Sequence, residues 1–197
     1  MKQHHIAFRE SLHAIGVQNI GPTFQNYRHI TDSYIAKEIY ETDQQKPFSR
    51  EVYTQFEQEL TSRISQIEFS EVPGAIRLIH LLQQSQVVSF CFATGSYRRP
   101  ALHKLQSAGF EINGDLLVGA DELPEREQIV KKAIQTAGEH YNISKFDRTV
   151  AIGDGLWDLL TAKNLGLEFI GVGKEHADVL KEHGAEVIFP DFQTFTF

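Results

Sequence analysis

Three short stretches hold the residues whose types and spacing could do chemistry. In Gly153-Asp154-Gly155-Leu156-Trp157-Asp158, two carboxylates stand four positions apart. On a helix that spacing puts both on one face. Paired carboxylates are costly unless positive charge lies close. Hard divalent cations such as Mg²⁺ take oxygen ligands of this kind and keep several waters. Asp154 and Asp158 are therefore the metal-ligand candidates, and Mg²⁺ the expected cofactor. An N-cap Asp154 beside a solvated Asp158 is the plainer account of the same pair. In Thr94-Gly95-Ser96, hydroxyls flank a glycine after an apolar run. Backbone N–H groups and a threonine oxygen at such a place suit a phosphate or carboxylate, though helix capping also explains Ser and Thr there.

The third stretch supplies a cation. Between Pro124 and about His140, Val130, Ala133, Ile134 and Ala137 form an inward helical stripe. Arg126 falls in that stripe, one turn before Val130. Its charged head must find an anion or water. Lys131 lies at the stripe's edge and is the second choice; Lys132 faces away. An ion pair of Arg126 with Glu122 or Glu125 is the structural alternative.

The elements that must position these residues divide the chain in two. Residues 1–71 carry helix-period patterns. Phe8, Leu12 and Ile15 precede Gly16, Thr31-Asp32-Ser33 precedes Ile35 and Ile39, and Ser49 precedes the four-residue stripe Val52, Phe56, Leu60, Ile64. Residues 72–197 alternate. A helix opens at Pro73-Gly74 with Ile76, Ile79 and Leu82 inward. Strands are expected at Val87–Ala93, 116–118, 149–152, 169–172 and 186–189, with helices at 98–108, 124–140, 155–165 and 175–183. Such alternation predicts a doubly wound α/β core with a parallel sheet. In that architecture chemistry sits at the carboxyl ends of strands, where Thr94 and Asp154 stand.

Composition narrows the function classes. Nineteen Lys and Arg against 26 Asp and Glu leave a net charge of −7, which argues against a broad nucleic-acid-binding surface. The single cysteine, Cys91, excludes an intramolecular disulfide framework and a Cys-rich zinc site. No apolar run approaches membrane-spanning length, and the N-terminus has no secretory apolar core. A globular, cytoplasmic protein is expected.

Together the three stretches resemble the motifs of the haloacid dehalogenase superfamily, in its phosphoglycolate-phosphatase-like branch. Val88 to Ser96 is similar to the second motif, an apolar strand ending in Thr or Ser. Arg126 in Pro-Glu-Arg-Glu-Gln-Ile-Val resembles the third, where Lys or Arg is used. Val150 to Asp158 resembles the fourth, Gly-Asp-x-x-x-Asp. Ala162 to Leu167 followed by Ile170-Gly171-Val172 is also typical. The helical 1–71 segment is similar to the branch's cap domain, and His29-Ile30-Thr31-Asp32 resembles a cap segment of some relatives. The resemblance implies a Mg²⁺-dependent phosphomonoesterase acting on a small phosphorylated metabolite. It implies Thr94 and Arg126 as catalytic residues, Gly95 and Ser96 as phosphoryl-binding residues, and Asp154 and Asp158 as metal ligands.

The family's first motif, Asp-x-Asp, which carries the nucleophile on a central strand, does not occur in the 197 residues. Asp115, Asp121, Asp147 and Asp191 each lack an Asp two positions on. Either the reported start is internal to the true one, or the segment comes from elsewhere, or the fold has adapted. Little or no turnover is expected of the chain as given. The alternatives are a non-catalytic binding protein for a phosphorylated ligand or protein, and a homo-oligomer pairing through open strand edges. The aromatic tail Phe189, Phe192, Phe195 and Phe197 would be the oligomer's interface, unless it simply packs beneath the last strand.

Overall fold

The computed structural model describes residues 2–24, 27–112 and 114–195. Phe197 lies outside them. Among the described residues, no helix is long and apolar enough to cross a membrane.

Three helices form the first part. Helix α1 (Lys2–Ala14) buries Phe8 and Leu12, as their spacing predicts. The stripe places His4 on the buried face, because His4, Phe8 and Leu12 are each four apart. Helix α2 (Asp32–Gln44) starts at Thr31, whose hydroxyl accepts the Tyr34 N–H, and buries Ile35 and Ile39. Helix α3 (Arg50–Ile64) is capped by Ser49, which accepts the Val52 N–H, and buries Phe56, Leu60 and Ile64. These faces meet in one apolar cluster that also takes in Val17 and Tyr97. The Phe56 ring sits edge-on to Phe8 at 5.1 Å and to Tyr97 at 6.0 Å.

From residue 75 the chain alternates helix and parallel strand. Its order is α4 (Ala75–Gln84), β1 (Phe92–Ala93), α5 (Arg98–Ser107), β2 (Leu117–Val118), α6 (Arg126–Tyr141), β3 (Val150–Gly153), α7 (Leu156–Leu165), β4 (Glu168–Val172), α8 (Ala177–Glu182) and β5 (Val187–Phe189). On α4 the most buried positions are Ala75 and Leu78; Ile76, Ile79 and Leu82 are half-buried. The α/β class with parallel pairing is as expected. The first strand is shorter than its apolar run, and Val87 is 93% exposed. A ladder needs a partner, and β2 offers one only to Phe92 and Ala93.

The strands make two sheets, β1-β2 and β3-β4-β5. Among the described residues, β1 and β3 each leave one edge unpaired. They do not close on each other. Between them lies a cavity of about 140 Å³, lined by Cys91, Ala93, Val150 and Ile152 from the edges and Ile129 and Ala133 from α6. The open edges account for an exposed Ala93 and a 42% exposed Ile152 in strands that would otherwise be covered.

The tail folds back on the α/β part. Phe195 is buried against Phe189 and Phe192, and Arg77 donates to the carbonyls of Phe192 and Gln193.

Candidate active site

The carboxyl ends of β1 and β3 and the first turn of α6 converge on one place. After β1, the Thr94 hydroxyl accepts the Ser96 N–H at 3.2 Å. That leaves the hydroxyl proton of Thr94 free to donate elsewhere. The Gly95 N–H has no partner among the described residues. Two donors of this turn are therefore without an acceptor among the described residues, the kind of groups that anion binding uses. Ser96 is committed inside the loop. Its N–H goes to Thr94, and its Oγ accepts from Lys104 at 3.0 Å.

Arg126 is the cation at this place. Its Nη1 donates to Asp158 Oδ1 at 2.7 Å, and its Nε donates to the Ile30 carbonyl at 3.1 Å. Its guanidinium also lies 5.6 Å from the Trp157 ring centroid. The partner is Asp158, rather than Glu122 or Glu125, which pair with Arg50 and His29. Lys131 and Lys132 are exposed. The guanidinium covers Gly95 so closely that a Cβ there would sit 2.8 Å from Nη2 and 2.8 Å from the Ile30 carbonyl oxygen. Only glycine tolerates that approach.

Asp154 follows β3 and is exposed; Asp158 stands in the first turn of α7 and is half-buried. The second oxygen of Asp158 accepts the Gly155 N–H at 3.2 Å, which ties the loop to the helix start. A side chain at Gly153 would collide with the Asp158 Cβ at 2.5 Å, so this carboxylate packs directly on the strand end. Burial pushes the Asp158 carboxyl above its ordinary value. Arg126 and backbone N–H groups pull it back, and the charge of Asp154 pushes it further up. Burial also lowers Arg126, against the pull of Asp158, Asp32 and Asp154.

This donor set fits Mg²⁺. The two carboxylates stand on either side of the turn from β3 into α7 and repel each other, and Asp154 has no side-chain partner among the described residues. Among those residues no group of three or more His, Cys, Asp or Glu gathers. Mg²⁺ is commonly held by one or two carboxylates with water and substrate oxygens completing its shell.

Three residues at this place were not singled out as site residues by sequence. His4 Nε2 bonds to Asp32 Oδ1 at 2.9 Å, and Lys104 Nζ reaches His4 Nδ1 at 2.9 Å. A signal existed for Lys104, because it shares a stripe with buried Tyr97 and Ala101, at i, i+4 and i+7. A lysine on a buried stripe calls for a partner.

Comparison with known proteins identifies the family. The profile of the haloacid dehalogenase-like hydrolases matches residues 3–166. The chain is similar in structure to a hydrolase from Pseudomonas syringae, with TM-score 0.68 and 19% identity over 96% of this chain and 87% of that one. It is also similar to a HAD hydrolase, family IA, variant 3, from Entamoeba histolytica HM-1:IMSS, with TM-score 0.69 and 18% identity over 100% and 89%. At such identities the likeness concerns the fold. No curated protein matches in sequence. With the family profile covering most of the residues, and the Thr94, Arg126 and Asp154–Asp158 stretches drawn together at the strand ends, the chain belongs to the haloacid dehalogenase-like hydrolases.

Proposed function

We propose that this chain carries the phosphate- and metal-binding half of a Mg²⁺-dependent phosphomonoesterase site for a small phosphorylated metabolite. The carrying observation is Arg126, which reaches from α6 to Asp158 beside β3 while lying over Gly95 beside β1. One guanidinium thus joins the proposed metal side to the proposed phosphoryl side.

In this reading the Thr94 hydroxyl and the Gly95 N–H donate to phosphoryl oxygens. Arg126 offsets the negative charge gathered there. Ser96 acts by shaping the turn. Asp154 and Asp158 hold Mg²⁺, which supplies charge neutralisation and orientation of the phosphoryl group. The helices α1–α3 act as a cap over 1–71, resting on a core over 72–197, and the strap at Ile30 to Asp32 is where the cap meets the site. Such a cover excludes water and selects the substrate.

The 197 residues contain no Asp-x-Asp. This chain is therefore proposed to bind without turning over. A second reading, a non-catalytic binding protein for a phosphorylated ligand, is favoured by the same fact and by an Arg126 already satisfied by Asp158 and Ile30. Both readings place the protein in the cytoplasm and invoke no nucleic acid or membrane. Pairing of two copies through the open edges of β1 and β3 is compatible with either.

Isothermal titration with Mg²⁺ tests the metal assignment. The wild-type chain is expected to bind and Asp154→Asn to lose the signal; unchanged binding in the variant removes Asp154 from the site. Hydrolysis of p-nitrophenyl phosphate by the wild-type chain would contradict binding without turnover.

A further inference from the structure

The phosphoryl-binding turn does not hold its shape alone. Three of its groups are gripped by a polar ring that joins the helical part to α5. The Asp32 N–H donates to the Gly95 carbonyl at 2.7 Å. The Tyr97 N–H donates to Asp32 Oδ2 at 3.2 Å. The Ser96 hydroxyl oxygen accepts from Lys104 at 3.0 Å. Lys104 also donates to His4 Nδ1, which leaves the proton on Nε2, and that N–H donates to Asp32 Oδ1. His4, Asp32 and Lys104 come from α1, α2 and α5, up to 100 positions apart. The Asp32 residue is 7% exposed.

We infer that Asp32 and Lys104 are positioning residues for the anion turn at 94–97. They fix the Gly95 carbonyl, the Ser96 hydroxyl and the Tyr97 N–H from the side away from the ligand. This leaves the Thr94 hydroxyl and the Gly95 N–H as the donors for the anion. The inference rests on the phosphoryl-site reading above. It adds that affinity for the anion depends on two residues that do not touch it.

Charge complementarity supports a specific ring over general adhesion. Asp32 collects donors from His4 and Tyr97, and Lys104 spends two of its three protons on the same ring, one on His4 and one on Ser96. A carboxylate so furnished holds its neighbours in one geometry. Removing it frees the Tyr97 N–H and the His4 ring that Lys104 and Ser96 lean on, and the donors of the turn lose their common aim.

The test titrates inorganic phosphate, with Mg²⁺ present, into the wild-type chain and four variants, with Tm measured for each. Asp32→Ala and Lys104→Met are each expected to weaken phosphate binding about tenfold, the worth of one charge-assisted hydrogen bond. Asp32→Asn keeps an acceptor for the Tyr97 N–H, and Lys104→Arg keeps a donor for Ser96. Each should recover affinity to within about threefold of wild type, about 0.6 kcal/mol of binding free energy. A lowered Tm in Asp32→Ala and Lys104→Met with unchanged phosphate affinity would show the ring to be adhesive only, and overturns the inference. If Asp32→Ala does not fold, the Lys104 pair decides. Absence of phosphate binding in the wild-type chain overturns the site reading and this inference with it. Wild-type binding with unaffected variants overturns the inference alone.

Discussion

The helical part and the α/β part of this molecule are built to opposite standards. In the helical part, Leu12, Val17, Phe56, Leu60 and Ile64 are wholly buried in one apolar cluster. In the α/β part the strands are short and the sheet is in two pieces. Its central cavity is bordered by Arg126 and Asp158, two ionisable groups that burial perturbs. The first part gains stability from packing, which acts without regard to solutes. The second pairs its buried charges, Arg126 with Asp158, and leaves edges of β1 and β3 unpaired among the described residues. The seam between them runs from Ile30 to Asp32, where Arg126 donates to the Ile30 carbonyl and the Asp32 N–H donates to the Gly95 carbonyl.

The largest expected effect strikes the packed part. Phe56→Ala removes a ring that contacts Phe8, Phe48 and Tyr97. It should cost about 3–5 kcal/mol in urea unfolding. A loss below about 1 kcal/mol would mean that the cluster is not the stabilising centre. Next, Arg126→Met leaves Asp158 without its guanidinium. Unfolding free energy should fall by about 1–3 kcal/mol. Phosphate affinity should fall at least about tenfold, a loss of at least about 1.4 kcal/mol in binding. Lys131→Ala should change neither, and the reverse ranking would move the cation's role to Lys131.

These expectations differ in how far the sequence alone announces them. The Ser49 cap and the Val52, Phe56, Leu60, Ile64 stripe are local patterns, and they fold as read. So do Thr31 at the start of α2 and the strand-end positions of Thr94 and Asp154. The length of β1 is not local. Val87 to Cys91 are apolar enough for a strand, but only Phe92 and Ala93 meet β2. Arg126 is legible as a buried cation in want of an anion. Its partner is not, because Asp158 lies 32 positions away and the nearer Glu122 and Glu125 are equally charged. The His4–Lys104 contact spans 100 positions. Only the placement of Lys104 on a buried stripe hints at it.

Acid separates the seam from the rest. Burial alone would raise the Asp32 carboxyl, but His4, Lys104 and Ser96 together hold it below its ordinary 3.8. A lowered folded value means that Asp32 contributes stability above pH 3.8 and loses it as pH falls through the folded value. Asp32→Asn should therefore cost about 1 kcal/mol at pH 7. The gap to wild type should close as pH drops below 3.8. A gap constant from pH 7 to pH 2.5 would show that the carboxylate's charge plays no part. The smallest effect is a chemical one. Burial pushes the Cys91 thiol up to about 11, so at pH 8 it is almost wholly protonated. Its reaction with a disulfide reagent should be slow until urea opens the α/β part; a rate like that of an unfolded chain in native buffer would show the cavity lining to be open already.

The most direct test of the central claim, that the α/β half holds a phosphoryl site built on Arg126, is titration of orthovanadate with Mg²⁺ into the wild-type chain and Arg126→Met. Binding at one site per chain, weakened at least about tenfold in the variant, is the predicted result. Equal affinity in the two proteins, or none in the wild-type chain, would contradict it.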